Sequence, residues 1–360
     1  MRSGAEGAAL WVLLGARHGD NQQLLAIADA LGVPYRTVRL RFNGLAGLPP
    51  VLLGASRFAW RTDDETALAP PWPRAVLAAG RKSVSAARWI RRQSGGRTRL
   101  IHVNRPWAPL AWFDLVVTTP QYAVPQRPNV LINRMPFLLP PADDDLPLPA
   151  SLVPETGAMP RPWTLAMVGG DSRPFVLDDD TAVRFAQAAG AEVRAHGGSA
   201  WVLGSPRTPA SAMATIERTL DVPCRIVRWG QGDNPYAALR RTADRFVVTT
   251  DSVSMLTEAL LSGRPVRPVE LPVRPDWRWR LATTWRDAAA RSPGSLVGRG
   301  FGLFQDLGLL SSLRDLGLQR RALEAAGVFD GTGRAPELAR REREVTRARI
   351  AALLDSPPQD

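Results

Sequence analysis

Short apolar runs alternate with amphipathic stretches along this chain, and glycine- or proline-bearing turns separate them. Leu10 to Gly15 reads as a strand, followed by the polar turn Arg17 to Gln23 and a helix over Leu24 to Leu31 that Gly32 and Pro34 stop. Val38 to Leu40 is a second strand. Ala75 to Ala79 is a third, ending at Gly80-Arg81-Lys82-Ser83 before a helix over Val84 to Arg92, and Leu100 to Val103 and Leu115 to Thr119 follow. The pattern restarts with Trp163 to Val168, the turn Gly169-Gly170-Asp171-Ser172 and a helix over Asp180 to Ala189. Strands over Ala200 to Leu203, Arg225 to Val227 and Phe246 to Thr250 complete the second set, with helices over Ile216 to Leu220 and Met255 to Leu261. Beyond about Pro275 only arginine- and leucine-rich helices remain, including Glu337 to Leu354.

Such alternation predicts an α/β protein with parallel sheets covered by helices. The 360 residues suit two doubly wound domains of roughly 150 to 180 residues each. The boundaries fall at 1–140 and 160–330, joined by the proline-rich stretch Pro136 to Pro162, with 331–360 as a helical tail that returns to the first domain.

Composition narrows the classes. A hydrophobic content of 45% and a charged content of 22% fit a soluble globular protein. The net charge of +12 comes from arginine, Lys82 being the single lysine, and it points to anionic partners. Neither an aromatic-interleaved basic face nor a nucleic-acid motif is present, so nucleic acid is not expected. The densest basic cluster, Arg88, Arg91, Arg92, Arg97 and Arg99 with Lys82 and Trp89, reads either as a contact for anionic lipid head groups or as a solvated helix face. One cysteine, Cys224, excludes a disulfide framework and suits a reducing, cytoplasmic setting. Ala8 to Leu14 is too short for a signal-peptide core, and no run reaches transmembrane length, so any membrane contact is expected to be peripheral. The three histidines, at 18, 102 and 196, lack zinc spacing, and no metal is expected.

The chemistry sits in the turns. Asp251-Ser252-Val253-Ser254 leads from a β-branched strand into an apolar helix, and the free N–H groups of such a helix start can hold a diphosphate. Ser252 and Ser254 are candidate anion contacts, with Glu258 a candidate acceptor for ribose hydroxyls. The plainer reading makes one serine an N-cap and Glu258 a solvated helix residue. Asn234 and Tyr236 precede that strand in the same motif. Gly169, Gly170 and Ser172 offer close backbone approach to a phosphate, while Ser205, Arg207 and Thr208 offer donors to the same group. In the first domain His18 or Asp20 is a candidate general base, against the plainer readings of a polar turn residue and a helix cap. No Walker motif, GxGxxG or GxSxG is present.

The segments GARHGDNQQLLAIADALG, FDLVVTTPQY, MVGGDSRPF, GSPRTP and GDNPYAALRRTADRFVVTTDSVSMLTEALLSGRPV, in this order, resemble the mitochondrial-fission elongated-mitochondria family. Its bacterial members are often labelled nucleoside-diphosphate-sugar epimerase-like. The resemblance implies a GT-B-like architecture of two facing Rossmann-like domains, the second taking a nucleotide-sugar donor as substrate with no separate cofactor. It also implies transfer of the sugar to a cell-envelope lipid or saccharide. The plant members imply an alternative, a noncatalytic adaptor that recruits a protein partner. Where the family usually shows Pro-x-His-Asp after the FDLVV strand, this chain has Thr119-Pro120-Gln121-Tyr122, which removes a histidine and an acid from the acceptor side. An epimerase of the Tyr-x-x-x-Lys type is excluded, since the one lysine is Lys82 and position 78 is Ala.

Overall fold

The computed structural model describes residues 9–140, 159–171, 174–232, 234–307 and 314–356. The chain divides into two compact units. The first comprises residues 1–138, 281–319 and 340–360, the second residues 139–280 and 320–339.

The first unit contains strands β1 (Leu10–Leu14), β2 (Tyr35–Phe42), β3 (Trp60–Thr62), β4 (Ala75–Ala79), β5 (Arg99–Val103), β6 (Leu115–Thr118) and β7 (Val130–Ile132). They form one sheet in the order β3-β2-β1-β4-β5-β6-β7, parallel throughout except that β3 runs antiparallel to β2. Helices α1 (His18–Leu31), α2 (Pro50–Leu53) and α3 (Val84–Gln93) lie between them. Strand β1 is apolar at every position because both faces are buried. Leu10, Val12 and Leu14 pack with Leu24 and Ile27 of α1, while Trp11 and Leu13 pack with Val84, Ala87 and Ile90 of α3.

The second unit holds β8 (Trp163–Val168), β9 (Ser199–Gly204), β10 (Cys224–Val227), β11 (Arg245–Thr249) and β12 (Val266–Val269) in an all-parallel sheet ordered β10-β9-β8-β11-β12. Its helices are α4 (Asp179–His196), α5 (Ala210–Thr219), α6 (Tyr236–Thr242) and α7 (Val253–Leu260). Then come α8 (Trp277–Arg291), α9 (Leu296–Asp306), α10 (Leu316–Ala325) and α11 (Arg334–Asp355). Each unit is therefore Rossmann-like, with the chain leaving its first strand toward one edge and returning to build the other.

Two expectations need correction. The stretch expected as a polar turn at 17–23 is mostly helix: α1 starts at His18, Asp20 lies in its first turn, and the capping position is Arg17, whose side chain makes no cap. An acid in the first turn suits the helix dipole, and Asn21 ties the helix start to the end of β1 by exchanging two 2.9 Å hydrogen bonds with the Gly15 backbone. The second domain, expected to run continuously over 160–330, gives up residues 281–319 to the first unit. Gln305 donates to the Ala123 carbonyl, Arg314 Nε donates to Gln121 Oε1 at 2.8 Å, and the Asp315 N–H donates to the Gln121 carbonyl. The expected return of the tail is found in the later part of α11. Thr346 accepts from Asn133 Nδ2, the Glu342 carboxylate accepts the Arg134 and Met135 N–H groups, and Ile350 and Leu354 are buried with Phe137. The acidic run Asp143 to Asp145, with most of the expected linker, lies outside the described residues.

Candidate functional site

In an open parallel sheet, ligands bind beyond the carboxyl ends of the strands where the strand order reverses. In the second unit that point lies between β8 and β11. Three turns meet there. Asp251, just past β11, is 0% exposed and its Oδ2 accepts both the Gly170 N–H at 3.1 Å and Arg207 Nη2 at 3.0 Å. Thr249 Oγ1 accepts the Gly169 N–H at 2.7 Å. From the β9 turn, Ser205 Oγ donates to the Gly169 carbonyl at 3.1 Å and Thr208 Oγ1 to the Val168 carbonyl at 2.9 Å, while the Ser205 N–H donates to Thr208 Oγ1 at 2.7 Å.

This arrangement gives the two glycines a different role from the one expected. A Cβ on Gly169 would lie 2.0 Å from Asp251 Oδ1, and one on Gly170 would lie 2.0 Å from the Arg207 carbonyl. They are glycines so that the protein's own carboxylate and backbone can close in. Likewise the hydroxyls of Ser205 and Thr208 are spent on the protein's own turn. Arg207 differs: its side chain is 41% exposed while one nitrogen is tied to Asp251 and another reaches toward the Asp171 carbonyl at 3.5 Å. A guanidinium anchored on a buried carboxylate and open on its outer side is pre-oriented for an anion.

Ser252 follows Asp251 directly and is the N-cap of α7, accepting the Met255 N–H at 3.5 Å. Ser254 is the second residue of that helix and is half-buried. Glu258, expected to meet ribose, accepts hydrogen bonds from Tyr236 Oη at 2.6 Å and from Arg240 on one oxygen, Oε2. Burial first, and then the Glu258 charge, push the Tyr236 phenol well above its ordinary range. Asn234 Oδ1 accepts the Tyr236 N–H at 3.0 Å and so opens α6. Ser172 lies outside the described residues. The sequence reading placed Asp251 in the turn without giving it a role, and it missed Thr249 and Arg240. Arg240 was the more accessible of the two, one helical turn after Tyr236.

The first unit has its own reversal point, between β1 and β4. Asp20 Oδ1 accepts from Asn104 Nδ2 at 3.0 Å, and a Cβ on Gly80, at φ 74°, would lie 3.6 Å from Asp20 Oδ2. Burial raises the Asp20 carboxyl above its ordinary pKa, against the opposing pull of Arg17, the Asn104 hydrogen bond and Arg314. His18 stands exposed at the helix start, with no hydrogen-bond or ion-pair partner among the described residues. In the departing turn, Gln121 Nε2 donates to Thr119 Oγ1 and the Tyr122 carbonyl accepts from the buried Arg105. Burial also raises the Tyr122 phenol, with Asp20 adding to the effect and Arg314 and Arg17 opposing it, so Tyr122 shares the Asp20 environment. Asn104, Trp107 and Ala123 all hold positive φ at this edge. That is a concentration of strained backbone of the kind active sites tolerate.

Much of the basic cluster in and around α3 is engaged with the protein itself, while Lys82 and Arg92 stand exposed. Arg91 and Arg99 both pair with Asp114, at 3.2 and 3.1 Å, Arg88 stacks 3.5 Å over the Trp112 ring, and Arg97 donates to the Ser94 carbonyl. Trp89 packs edge-on against Trp60 and Trp72. No group of metal-ligating side chains occurs among the described residues, and none of their helices is long and apolar enough to cross a membrane.

The chain is 27% identical over 258 residues to the mitochondrial fission protein ELM1 of Arabidopsis thaliana, covering 65% of this chain and 58% of that protein. It is 22% identical over 292 residues to the uncharacterized protein RP120 of Rickettsia prowazekii, covering 71% and 82%. Among solved structures it is similar to the S. aureus MnaA–UDP co-structure, with a TM-score of 0.48, 10% identity and coverage of 98% and 99%. A second is the UDP-N-acetylglucosamine 2-epimerase of Rickettsia bellii, with a TM-score of 0.44, 12% identity and 97% of each chain covered. At those scores the likeness carries no argument about chemistry. The model of the family described as Mitochondrial fission ELM1 matches residues 18–286, a span that takes in both strand-end clusters, and the chain belongs to that family.

Proposed function

We propose that the second unit binds a nucleotide-sugar and that the protein transfers the sugar to a cell-envelope lipid or saccharide. The observation that carries this reading is the clamp at the β8/β11 reversal point, where the buried Asp251 carboxylate fixes Arg207 beside the start of α7. A diphosphate there meets a guanidinium and the unpaired N–H groups of a helix N-terminus, so the charge that develops on it as the leaving group is stabilised without a metal. In the transfer an acceptor hydroxyl oxygen bonds to the anomeric carbon, the bond from that carbon to the diphosphate breaks with its electron pair, and the hydroxyl proton passes to a base. Asp20, with its pKa raised by burial, is the first candidate base, and His18 the second. Glu258, held by Tyr236 and Arg240 through Oε2, serves the ribose in this reading through its other oxygen.

The second reading, a noncatalytic adaptor that recruits a protein partner, is favoured by family membership. The chain spans 58% of the Arabidopsis relative's length. Thermal unfolding against UDP-, GDP-, ADP- and CMP-sugars separates the two. Saturating ligand at about a hundred times its Kd stabilises by about 2.7 kcal/mol. A shift with one nucleotide, lost in Arg207→Ala, supports the donor site. No shift with any of them overturns it and leaves the adaptor.

A further inference from the structure

Helix α9 carries its apolar residues on the wrong side for a helix that only packs against its own protein. At 100° per residue, Leu296, Val297, Leu303, Phe304 and Leu307 occupy an arc of about 120°. All five are exposed, Leu296 at 86% and Leu303 at 57%. Phe301, at one border of the arc, turns inward and packs with Ala289 and edge-on against Trp285 of α8, which Phe304 also touches. Gln305, on the opposite side, donates to the Ala123 carbonyl and so holds the helix to the first unit with its apolar arc outward. At the other border stands Arg299, exposed, with Arg291 exposed at the end of α8.

We propose that this arc is a membrane-docking face that inserts into the head-group region of an anionic lipid surface. The argument for that occupant is charge. Residues 277–307 hold five arginines against two aspartates, and with Arg286 paired to Asp287 and Asp315 the remaining four arginines keep the segment cationic, within a chain that carries +12 as a whole. A second copy of the same chain would bring like charge against like, whereas an anionic bilayer neutralises it. Outward leucine and phenylalanine with arginine at the border is the composition of a helix that lies in the plane of a membrane interface. The face is separate in sequence from the basic cluster around α3, and the proposal does not rest on nucleotide-sugar binding.

The test is co-sedimentation of the full chain with vesicles of phosphatidylcholine alone and of phosphatidylcholine mixed with an equal part of phosphatidylglycerol. The wild type is expected to pellet with the anionic vesicles and far less with the neutral ones. Leu296→Ser/Leu303→Ser/Phe304→Ser is expected to weaken that binding about tenfold or more. Arg291→Gln/Arg299→Gln should weaken it on anionic vesicles alone. Leu52→Ser/Phe58→Ser, at exposed apolar positions elsewhere, should leave it unchanged. If the triple variant melts earlier than the wild type, the single change Leu296→Ser at the most exposed position takes its place. A wild type that stays in the supernatant with both vesicles overturns the proposal, as does a serine variant that binds like the wild type. So does a wild-type dimer that the serine variant dissolves in the absence of vesicle binding, since the face would then belong to a second copy.

Discussion

His102 offers a quantitative test of how the first unit is built. It sits in the middle of β5, in register with Ala78 and Val116 on the neighbouring strands, with its ring 5.1 Å from that of Phe113. The side chain is 0% exposed and neither ring nitrogen has a hydrogen-bond partner among the described residues. Burial alone depresses its pKa from 6.5 to about 3. Above about pH 6.5 both folded and unfolded chains hold the ring neutral, and the group adds no pH dependence. Below it the unfolded chain takes up a proton that the folded chain refuses until about pH 3. Stability then falls by about 1.4 kcal/mol per pH unit through that window. Between pH 7.5 and 4.5 this costs about 2 to 3 kcal/mol. His102→Leu, close in volume, removes both the proton linkage and the two unpaired nitrogens. The assay is urea unfolding of wild type and variant at both pH values. The variant should gain little or be neutral at pH 7.5 and should be about 2 to 3 kcal/mol the more stable of the two at pH 4.5. Equal pH dependence in the two proteins would refute the reasoning and mean that the native ring is protonated or finds a partner in solution.

Other outcomes follow from the strand-end clusters. Gly170→Ala drives a methyl into the Arg207 carbonyl and should destabilise the second unit by about 1 to 3 kcal/mol in thermal unfolding, with loss of nucleotide protection. Asp251→Asn keeps an acceptor for the Gly170 N–H but not the charge that holds Arg207, so by titration nucleotide affinity should drop about tenfold while the fold survives. Asp20→Asn should raise the unfolding midpoint at pH 7.5, because burial disfavours the charged carboxylate, and that gain should shrink as the pH falls and Asp20 itself takes a proton. Any transfer activity should disappear in the same variant. Glu258→Gln removes the charge facing Arg240 and is expected to weaken nucleotide binding more than it lowers the melting temperature.

The parts of the fold that could be read from the sequence were those with two buried faces. Strands β1, β4, β8, β9 and β11 are apolar runs because helices cover both sides, and such runs identify themselves. Strands β3 and β7 escaped notice. Each has three residues, β3 alternates with an exposed arginine, and β7 ends in an exposed Ile132. The start of α1 was hidden because its first turns carry only polar residues, which periodicity cannot place. At the site, the turns themselves were legible from glycine, serine and proline, and the structure brings Gly169, Gly170, Ser205, Arg207 and Thr208 together. What joins them was not legible. Asp251 reaches Gly170 across 81 positions of sequence and Arg207 across 44, and no local pattern encodes either contact. The same limit applies to Asn104 and Asp20, 84 positions apart.

The later part of α11 bears on how the protein is made. Ile350 and Leu354 complete the core that Leu24, Ile27 and Phe137 begin, and each stabilises by about 1.5 to 3 kcal/mol when buried. Synthesis delivers the first unit's sheet hundreds of residues before it delivers that cover. During elongation the part of that core which Ile350 and Leu354 cover beside α1 stands open, while the second unit, whose own sheet is encoded in one stretch, is free to form. The first unit is begun early and finished late, and a chain halted before residue 340 lacks the helix that completes the core α1 begins.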